Sequence, residues 1–323
     1  MRASFAAPIG IFRTSHFLFD TLNNDASMDR SQVIALLNRW IREVASNDGL
    51  KWLQEQREKI AGGAPQRVFY TSFSAVPRYI DKHDLNLSDA DREAADEARI
   101  GWQPAGWSAT QAGRTLIVLS LPHEDREAYL ETLDRVFTHA DVGESVALYQ
   151  ALPLLPYPDS HRDRAAEGVR SNMTSVLEAV AHRNPYPAEH FEDPAWNQMV
   201  LKLLFEDSPL HPVYRLDERA NPTLARMLLD YVHERWAADR SVPPELWRLV
   251  GPFAEDEALD DLEQALHDGP PAAREAAALA LSQSPADRAV TLLRDATPEL
   301  YEAIETGSLT WNHFREERLE PAS

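Results

Sequence analysis

Apolar residues recur at helical spacing through nearly the whole chain after Met28. The first such segment places its apolar side chains on one face of a 3.6-residue helix; these are Val33, Leu36, Leu37, Trp40, Ile41 and Val44. Segments with the same period follow, separated by capping residues or prolines. A chain built from such segments is predicted to be an all-α, multi-helical array.

Helix start signals agree with this period. Asp29 precedes the first apolar stripe as an N-cap. Ser108 with Gln111 and Asp141 with Glu144 have the spacing of capping boxes, in which side chains and backbone N–H groups satisfy each other. Each signal predicts a helix beginning at the next residue.

The segment 67–80, RVFYTSFSAVPRYI, is ambiguous. Its Val, Phe, Tyr and Thr content suits a strand. Pro77 cannot donate to a sheet, and the neighbouring segments are helical. A buried helix is the favoured interpretation.

Prolines divide the chain near its middle. The segment 153–160, PLLPYPDS, holds three of them. We predict an N-terminal helical region over 28–152 and a C-terminal helical region over 153–323, packed as one continuous unit. Residues 1–27 lack a signal-peptide cleavage site and are predicted to be a poorly ordered extension.

Short helices in the last part of the chain resemble a degenerate α-solenoid of HEAT type. Their apolar positions are Leu259, Leu262, Leu266, Ala276, Ala277, Ala280, Leu281, Ala289, Val290 and Leu293. Prolines separate them, as expected for stacked antiparallel units. The period is too irregular for the repeats to be counted.

Charge and cysteine content exclude several classes of function. The 323 residues include 52 acidic and 32 Lys or Arg residues, a net charge of −20, so phosphate backbones and anionic lipids are repelled. Without cysteine there is no disulfide, thiolate catalysis or Cys-ligated metal. The densest apolar run, 116–121, is far shorter than the roughly 20 residues of a membrane-spanning helix. We expect no nucleic-acid partner, no membrane insertion and a cytoplasmic location.

Other familiar site signatures are absent. No H-E-x-x-H pair, phosphate-binding glycine loop or G-x-S-x-G motif occurs in the sequence. We therefore predict no metal, no cofactor and no catalytic residue. Trp102 and Trp107 suit either the wall of a ligand site or anchors for a loop, and the anchoring interpretation is favoured.

The segment 184–205, NPYPAEHFEDPAWNQMVLKLLF, carries the densest polar chemistry. Asn184, Pro185 and Pro187 predict an extended turn, because a residue before proline is disfavoured in the α region. Asp193 is predicted to cap a helix that has Pro194 in its first turn.

The helix after that cap is predicted to be buried on most sides. One face carries Trp196, Met199, Val200, Leu203 and Leu204, and the apolar arc widens to include Leu201 and Phe205. A buried amide needs partners. For Asn197, on the rim of this arc, we predict hydrogen bonds to the backbone of the NPYP turn.

A binding site is the alternative to this structural interpretation. Tyr186, Glu189, His190, Asn197 and Lys202 are the candidate ligand-binding residues, expected to converge on a concavity between helices. Partial burial of Glu189 and His190 would shift their pKa values and suit them to proton transfer.

The same segments resemble a known family. NPYPAEHF, PAWNQMVLKLLF and the stretch 216–253, with VFYTSFSAVPRYI and GWQPAGWSATQAGRTLIVL upstream, are similar to EboA-family proteins. The resemblance extends over about 28–293 and is most specific over 184–253. Family members are encoded beside a UbiA-type prenyltransferase, a TatD-like hydrolase and a dehydroquinate-synthase-like enzyme, in a cluster associated with moving a secondary-metabolite precursor across the cytoplasmic membrane.

The resemblance implies a metabolite-traffic protein and assigns no residue a role. Three hypotheses follow. The first is a helical scaffold or carrier that binds proteins of the same cluster, or a small precursor, for export. The second is an enzyme using Glu189 or His190 as acid and base. The third is a structural adaptor without a small-molecule site.

Overall fold

Helices form the fold of residues 28–319, which the computed structural model describes apart from the side chain at position 317. No strand occurs within these residues, so the all-α prediction is confirmed. The helices of the first half are α1 Arg30–Val44, α2 Asn47–Ala61, α3 Gln66–Ala75, α4 Asp89–Ala98, α5 Ala109–Val118, α6 Arg126–His139, α7 Val142–Ala151, α8 Arg162–Val169 and α9 Thr174–Ala181. The predicted extension 1–27 lies outside the described residues.

The second half continues with helices of more uneven length. They are α10 Tyr186–His190, α11 Asp193–Phe205, α12 Pro222–Ala237, α13 Trp247–Val250, α14 Glu257–Asp268, α15 Pro271–Gln283, α16 Asp287–Ala296, α17 Pro298–Glu305 and α18 Trp311–Phe314. Short 3-10 turns join several of them, including Leu152–Leu154 and Gly251–Phe253.

The predicted helix starts are confirmed where the caps are strongest. The Asp29 carboxylate accepts the backbone N–H of Gln32 at the start of α1. The Ser108 cap at α5 and the Asp141 cap at α7 are both full capping boxes. The ambiguous segment after position 66 forms helix α3, as predicted, but only its face with Phe69, Ser72 and Phe73 is buried. Pro77 lies in the 3-10 turn that follows it.

Helix α5 forms the centre of the first half. All its residues except Gln111 are buried. It packs against α1, α2, α3 and α7, and α7 in turn packs on α9. Trp102 and Trp107 are buried against each other, with ring centroids 5.9 Å apart, so they anchor the loop before α5.

The later helices continue this packing without a gap. Helix α12 packs on α13, α13 on α15, and α15 on α14 and α16. One cluster of buried apolar side chains extends from Val33 in α1 to Phe314 in α18. The division at 152/153 and the HEAT-type description of the last helices remain predictions.

The described helices include no candidate membrane span. None of them, from α1 to α18, combines the length and the apolar character that crossing a bilayer requires.

Candidate functional site

The NPYP segment forms the start of a short helix, so the predicted extended turn is wrong. Pro185 has helical dihedral angles, and Tyr186 and Pro187 are the first two residues of α10. The Asn184 side chain explains this outcome. Its Oδ1 accepts the Tyr186 N–H at 3.0 Å, and its Nδ2 donates to two backbone carbonyls, Tyr149 O and Ala179 O, each at 3.0 Å. These bonds offset the reluctance of a residue before proline to be helical.

Asn184 therefore attaches α10 to α7 and α9. Its side chain is buried, and all three of its hydrogen bonds are made to backbone groups. The attachment fixes where the other side chains of α10 lie.

Tyr186 and His190 lie against each other inside this attachment. Tyr186 is fully buried and donates its hydroxyl hydrogen to Pro158 O at 2.6 Å. Burial raises the pKa of its phenol well above the ordinary range. The His190 ring is tilted against it with centroids 4.6 Å apart.

Arg99 and Glu189 form a buried ion pair beneath α10. The Arg99 guanidinium contacts both carboxylate oxygens of Glu189, with Nη1 to Oε1 at 3.0 Å, and its remaining donors reach Pro153 O and Ile100 O at 3.0 Å. Only 7% and 12% of the two side chains is exposed. Such a fork-to-fork arrangement is the strongest geometry for a carboxylate pair. It joins the end of α4, the Leu152–Leu154 turn and α10.

His190 is surrounded by charged groups of both signs. Its Nε2 lies 3.8 Å from Glu189 Oε2 and its Nδ1 lies 3.6 Å from Asp159 Oδ1. Burial lowers the pKa of His190, against the opposing effect of these two carboxylates, while Arg162 and Arg99 act in the same direction as burial. His190 is therefore favoured as a neutral imidazole at pH 7.

A surface cleft of about 690 Å³ opens on the other side of α10. Its lining residues are Ala188, Glu189, Phe191, Glu192, Asp193, Pro194, Arg215, Glu218 and Arg219. Arg219 closes one wall, because it donates to Ala188 O at 2.6 Å and to Phe191 O at 2.8 Å while its guanidinium stacks 4.8 Å from the Trp196 ring centroid. Most of the lining residues are charged, and Ala188, Phe191 and Pro194 are the apolar ones among them.

Asn197 does not bind the NPYP backbone, so that prediction is wrong. It is buried and forms a reciprocal amide pair with Asn221, at 3.2 Å and 2.9 Å. Asn221 also caps α12 through Leu224 N and donates to Arg219 O at 3.2 Å. Asn197 therefore supports the loop that carries Arg219 and does not line the cleft.

Helix α11 differs from its prediction at both ends. Glu192 occupies the N-cap position without a side-chain bond, and Asp193 is the first helical residue, its carboxylate held by Arg219 at 3.2 Å. Phe205 is 61% exposed, because the helix ends there beyond the core. The predicted face with Trp196 at its start is buried as expected.

Lys202, like Asn197, lies away from the cleft. It pairs with Glu206, one turn further along α11, and is not among the residues lining the cleft. Tyr186, Glu189 and His190 are brought together. Of these three, Glu189 is among the described residues that line the cleft, and Tyr186 and His190 are not. The binding role of the five candidates remains a prediction.

The arrangement is better suited to holding charge than to moving protons. Both oxygens of Glu189 are engaged by Arg99, so a general base there would have to break a buried ion pair first. Among the residues that the structure describes, no group of three His, Asp or Glu side chains is placed to hold a metal ion.

Sequence reasoning missed Arg99, Arg219 and Asn221. Each is far in sequence from the residue it contacts. Arg99 is 90 positions from Glu189, Arg219 is 31 from Ala188, and Asn221 is 24 from Asn197. A buried carboxylate at Glu189 demands a cation, but local spacing does not say which arginine supplies it.

Comparison with known proteins identifies the family. The family model described as metabolite traffic protein EboA matches residues 33–251, more than half of the chain. This span contains α10 and the cleft and is shorter than the resemblance expected over 28–293. No curated protein and no solved structure gives a significant match. The chain is therefore a member of the EboA family of metabolite traffic proteins.

Proposed function

We propose that this protein is a cytoplasmic carrier that binds a small-molecule precursor in the cleft beside α10 and assists its export across the cytoplasmic membrane. Proteins encoded in the same gene cluster would deliver or receive the molecule, one of them by docking at the membrane. No reaction is assigned to the carrier itself.

The observation that carries this proposal is the buried charged support beneath the cleft. Burying Arg99 and Glu189 costs several kcal/mol per ion before their attraction offsets it. The pair, the Asn184 attachment and the Arg219 clamp together fix α10, whose residues Ala188 and Glu189 face the cleft. A wall held rigid by buried side chains is typical of a ligand site.

An adaptor without a ligand is the weaker alternative, and an enzyme weaker still. An adaptor needs no cleft of this volume. An enzyme working through Glu189 would need that carboxylate released from Arg99. Both alternatives remain open to the experiment below.

The test is ligand capture by the full chain from a small-molecule extract of the source cells. The protein is incubated with the extract, separated by gel filtration, and the retained compounds are identified by mass spectrometry. The variant Glu218→Trp places a large ring on an exposed cleft residue. Glu234→Trp, on the exposed face of α12, is the matched control.

A carrier retains one or a few compounds unchanged in mass, and Glu218→Trp loses them while Glu234→Trp does not. Retention that is equal in both variants, or absent from the wild type, would overturn the carrier proposal. Conversion of a retained compound to a product, lost in Glu189→Gln, would establish the enzyme instead.

A further inference from the structure

A second cavity of about 250 Å³ lies next to the cleft and is lined by basic side chains. Its lining residues are Gln103, Arg183, His211, Pro212, Val213, Tyr214, Arg215 and Arg315. We call this cavity the basic niche. The described side chains that line it include three arginines and a histidine, and none of those described is an aspartate or glutamate. That composition is unexpected in a chain with a net charge of −20.

The backbone holds the basic niche in shape. Arg183 has a left-handed backbone, with φ 51°, and its N–H donates to Pro212 O at 2.8 Å. The neighbouring residue His182 forms an isolated antiparallel β-bridge with Val213. Residues other than glycine adopt positive φ rarely and at a cost, so the surrounding structure imposes this conformation. The chain on both sides of the basic niche is therefore fixed.

Tyr214 connects the basic niche to the residues beneath α10. Its ring packs on Gly101, where an added Cβ would approach the ring carbons to 2.6 Å. The phenol lies within the electrostatic influence of both Glu189 and Arg215. Arg215 itself lines both the cleft and the basic niche, so the two cavities share a wall.

Carboxylates near the basic niche neutralise part of its charge. Glu245 Oε1 lies 3.4 Å from His211 Nδ1, and Glu218 binds Arg215 at the surface. Glu316 lies 3.7 Å from Arg315. Arg183 makes no hydrogen bond or ion pair through its side chain among residues 28–319. Arg183 is exposed and lines the cavity, so its guanidinium is available to a ligand there.

We infer that the basic niche binds the anionic group of the transported molecule, a carboxylate or a phosphate, while the body of the molecule occupies the cleft. Arginine is the preferred residue for both groups, because its planar donors match two oxygens at once. The repulsive field of the rest of the chain makes a local positive site necessary for any anionic ligand. This inference rests on the proposed carrier function and adds its ligand class.

The test measures binding of four probes by calorimetry in a buffer free of phosphate. The probes are inorganic phosphate, phenyl phosphate, phenylacetate and the neutral 2-phenylethanol. We expect phenyl phosphate or phenylacetate to bind and 2-phenylethanol not to bind, and the stronger of the two anions shows whether phosphate or carboxylate is preferred. Arg183→Gln is expected to weaken that binding at least about tenfold.

Arg226→Gln is the matched control, because Arg226 is exposed on α12 away from both cavities. It should leave binding unchanged, and circular dichroism of Arg183→Gln should match the wild type. The inference is overturned if neither aromatic anion binds, or if Arg183→Gln binds them as the wild type does.

The extract experiment separates this inference from the carrier proposal. If the compounds captured by the cleft are neutral and Arg183→Gln retains them fully, the protein is a carrier and the basic niche is not its anion site. If the anionic probes bind but no compound depends on the cleft, the basic niche stands as an anion site and the carrier proposal fails.

Discussion

The family-matched residues 33–251 and the helical tail 252–319 are both all-α, but they bury different groups. In the matched region, charged and amide side chains such as Arg99, Glu245 and Asn184 are buried. In the tail, Thr297 is the buried polar residue among those described, and the core of α15 consists of alanine and leucine.

The difference shows what each region is built to do. Burying a charged side chain costs free energy, and the attraction to its partner offsets little more than that cost. Buried charges in the matched region therefore fix the positions of helices more than they stabilise the fold. The tail has alanine-rich helices that approach closely and ion pairs that remain at the surface, as with Arg288 and Asp260. We therefore expect mutations of charge to act strongly in the matched region and weakly in the tail.

The largest expected effect is the loss of Arg99. Arg99→Gln leaves the Glu189 carboxylate buried without its cation, which should lower the free energy of unfolding by about 3–5 kcal/mol. Urea unfolding measures it. Arg288→Gln in the tail should give no resolvable change, because that guanidinium is exposed.

Replacing both partners should recover most of the loss. The double variant Arg99→Met, Glu189→Met removes both charges and fills a similar volume, so it should be clearly more stable than Arg99→Gln. The carbonyls of Pro153 and Ile100, which lose the Arg99 donors, account for the loss that remains. An equal loss in Arg99→Gln and Arg288→Gln would contradict the comparison between the two regions.

The next effect concerns the junction between the regions. A Cβ on Gly251 would meet Ala280 O at 2.6 Å and Ala280 Cα at 2.8 Å, both backbone atoms of α15. Gly251→Ala should therefore push α15 away and destabilise the protein by about 1–3 kcal/mol. Hydrogen exchange should become faster in α14–α16 while α5 keeps its protection.

Uniformly faster exchange in α5 and α15 would show that the two regions unfold together. Unchanged exchange in α15 would show that the junction tolerates the methyl group. Either result would show that the matched region and the tail differ in the groups they bury but not in how they unfold.

The fold could be predicted from the sequence because its signals are local. Apolar spacing and capping boxes act within a few residues, and Asp29, Ser108 and Asp141 each start a helix as predicted. Tyr186, Glu189 and His190 lie together on α10, while their role in binding a ligand stays a prediction.

The partners of that segment could not be predicted, because they are distant in sequence. Asn197 needs a hydrogen-bond partner because it is buried, and the sequence does not distinguish Asn221 from the NPYP backbone as that partner. In the structure the partner is Asn221. The prediction for the turn failed for a related reason. Tyr186 precedes Pro187 and is nevertheless helical, and the Asn184 Oδ1 that accepts its N–H favours this conformation.

Asn184 should itself be sensitive to substitution. Asn184→Ala leaves the carbonyls of Tyr149 and Ala179 without that donor in a buried site, which should cost about 1–3 kcal/mol. Thermal unfolding measures it. Asn312→Ala, at an exposed position in the tail, should change stability by less than about 0.5 kcal/mol. A loss no larger than that of the control would show that α10 is held by its apolar contacts alone.

The smallest expected effect is a pH dependence that belongs to the matched region. Burial is the main cause that lowers the pKa of His161, His182 and His190 below the ordinary 6.5. A histidine with a lowered pKa binds a proton more readily when unfolded, so its contribution is fully present above pH 6.5 and is lost as the pH falls from there towards the folded-state pKa. The free energy of unfolding should thus decrease between pH 7 and pH 5, and urea unfolding at several pH values measures the slope. His190→Gln should make this slope shallower. A slope that His190→Gln leaves unchanged would show that protonating this ring does not oppose the folded state.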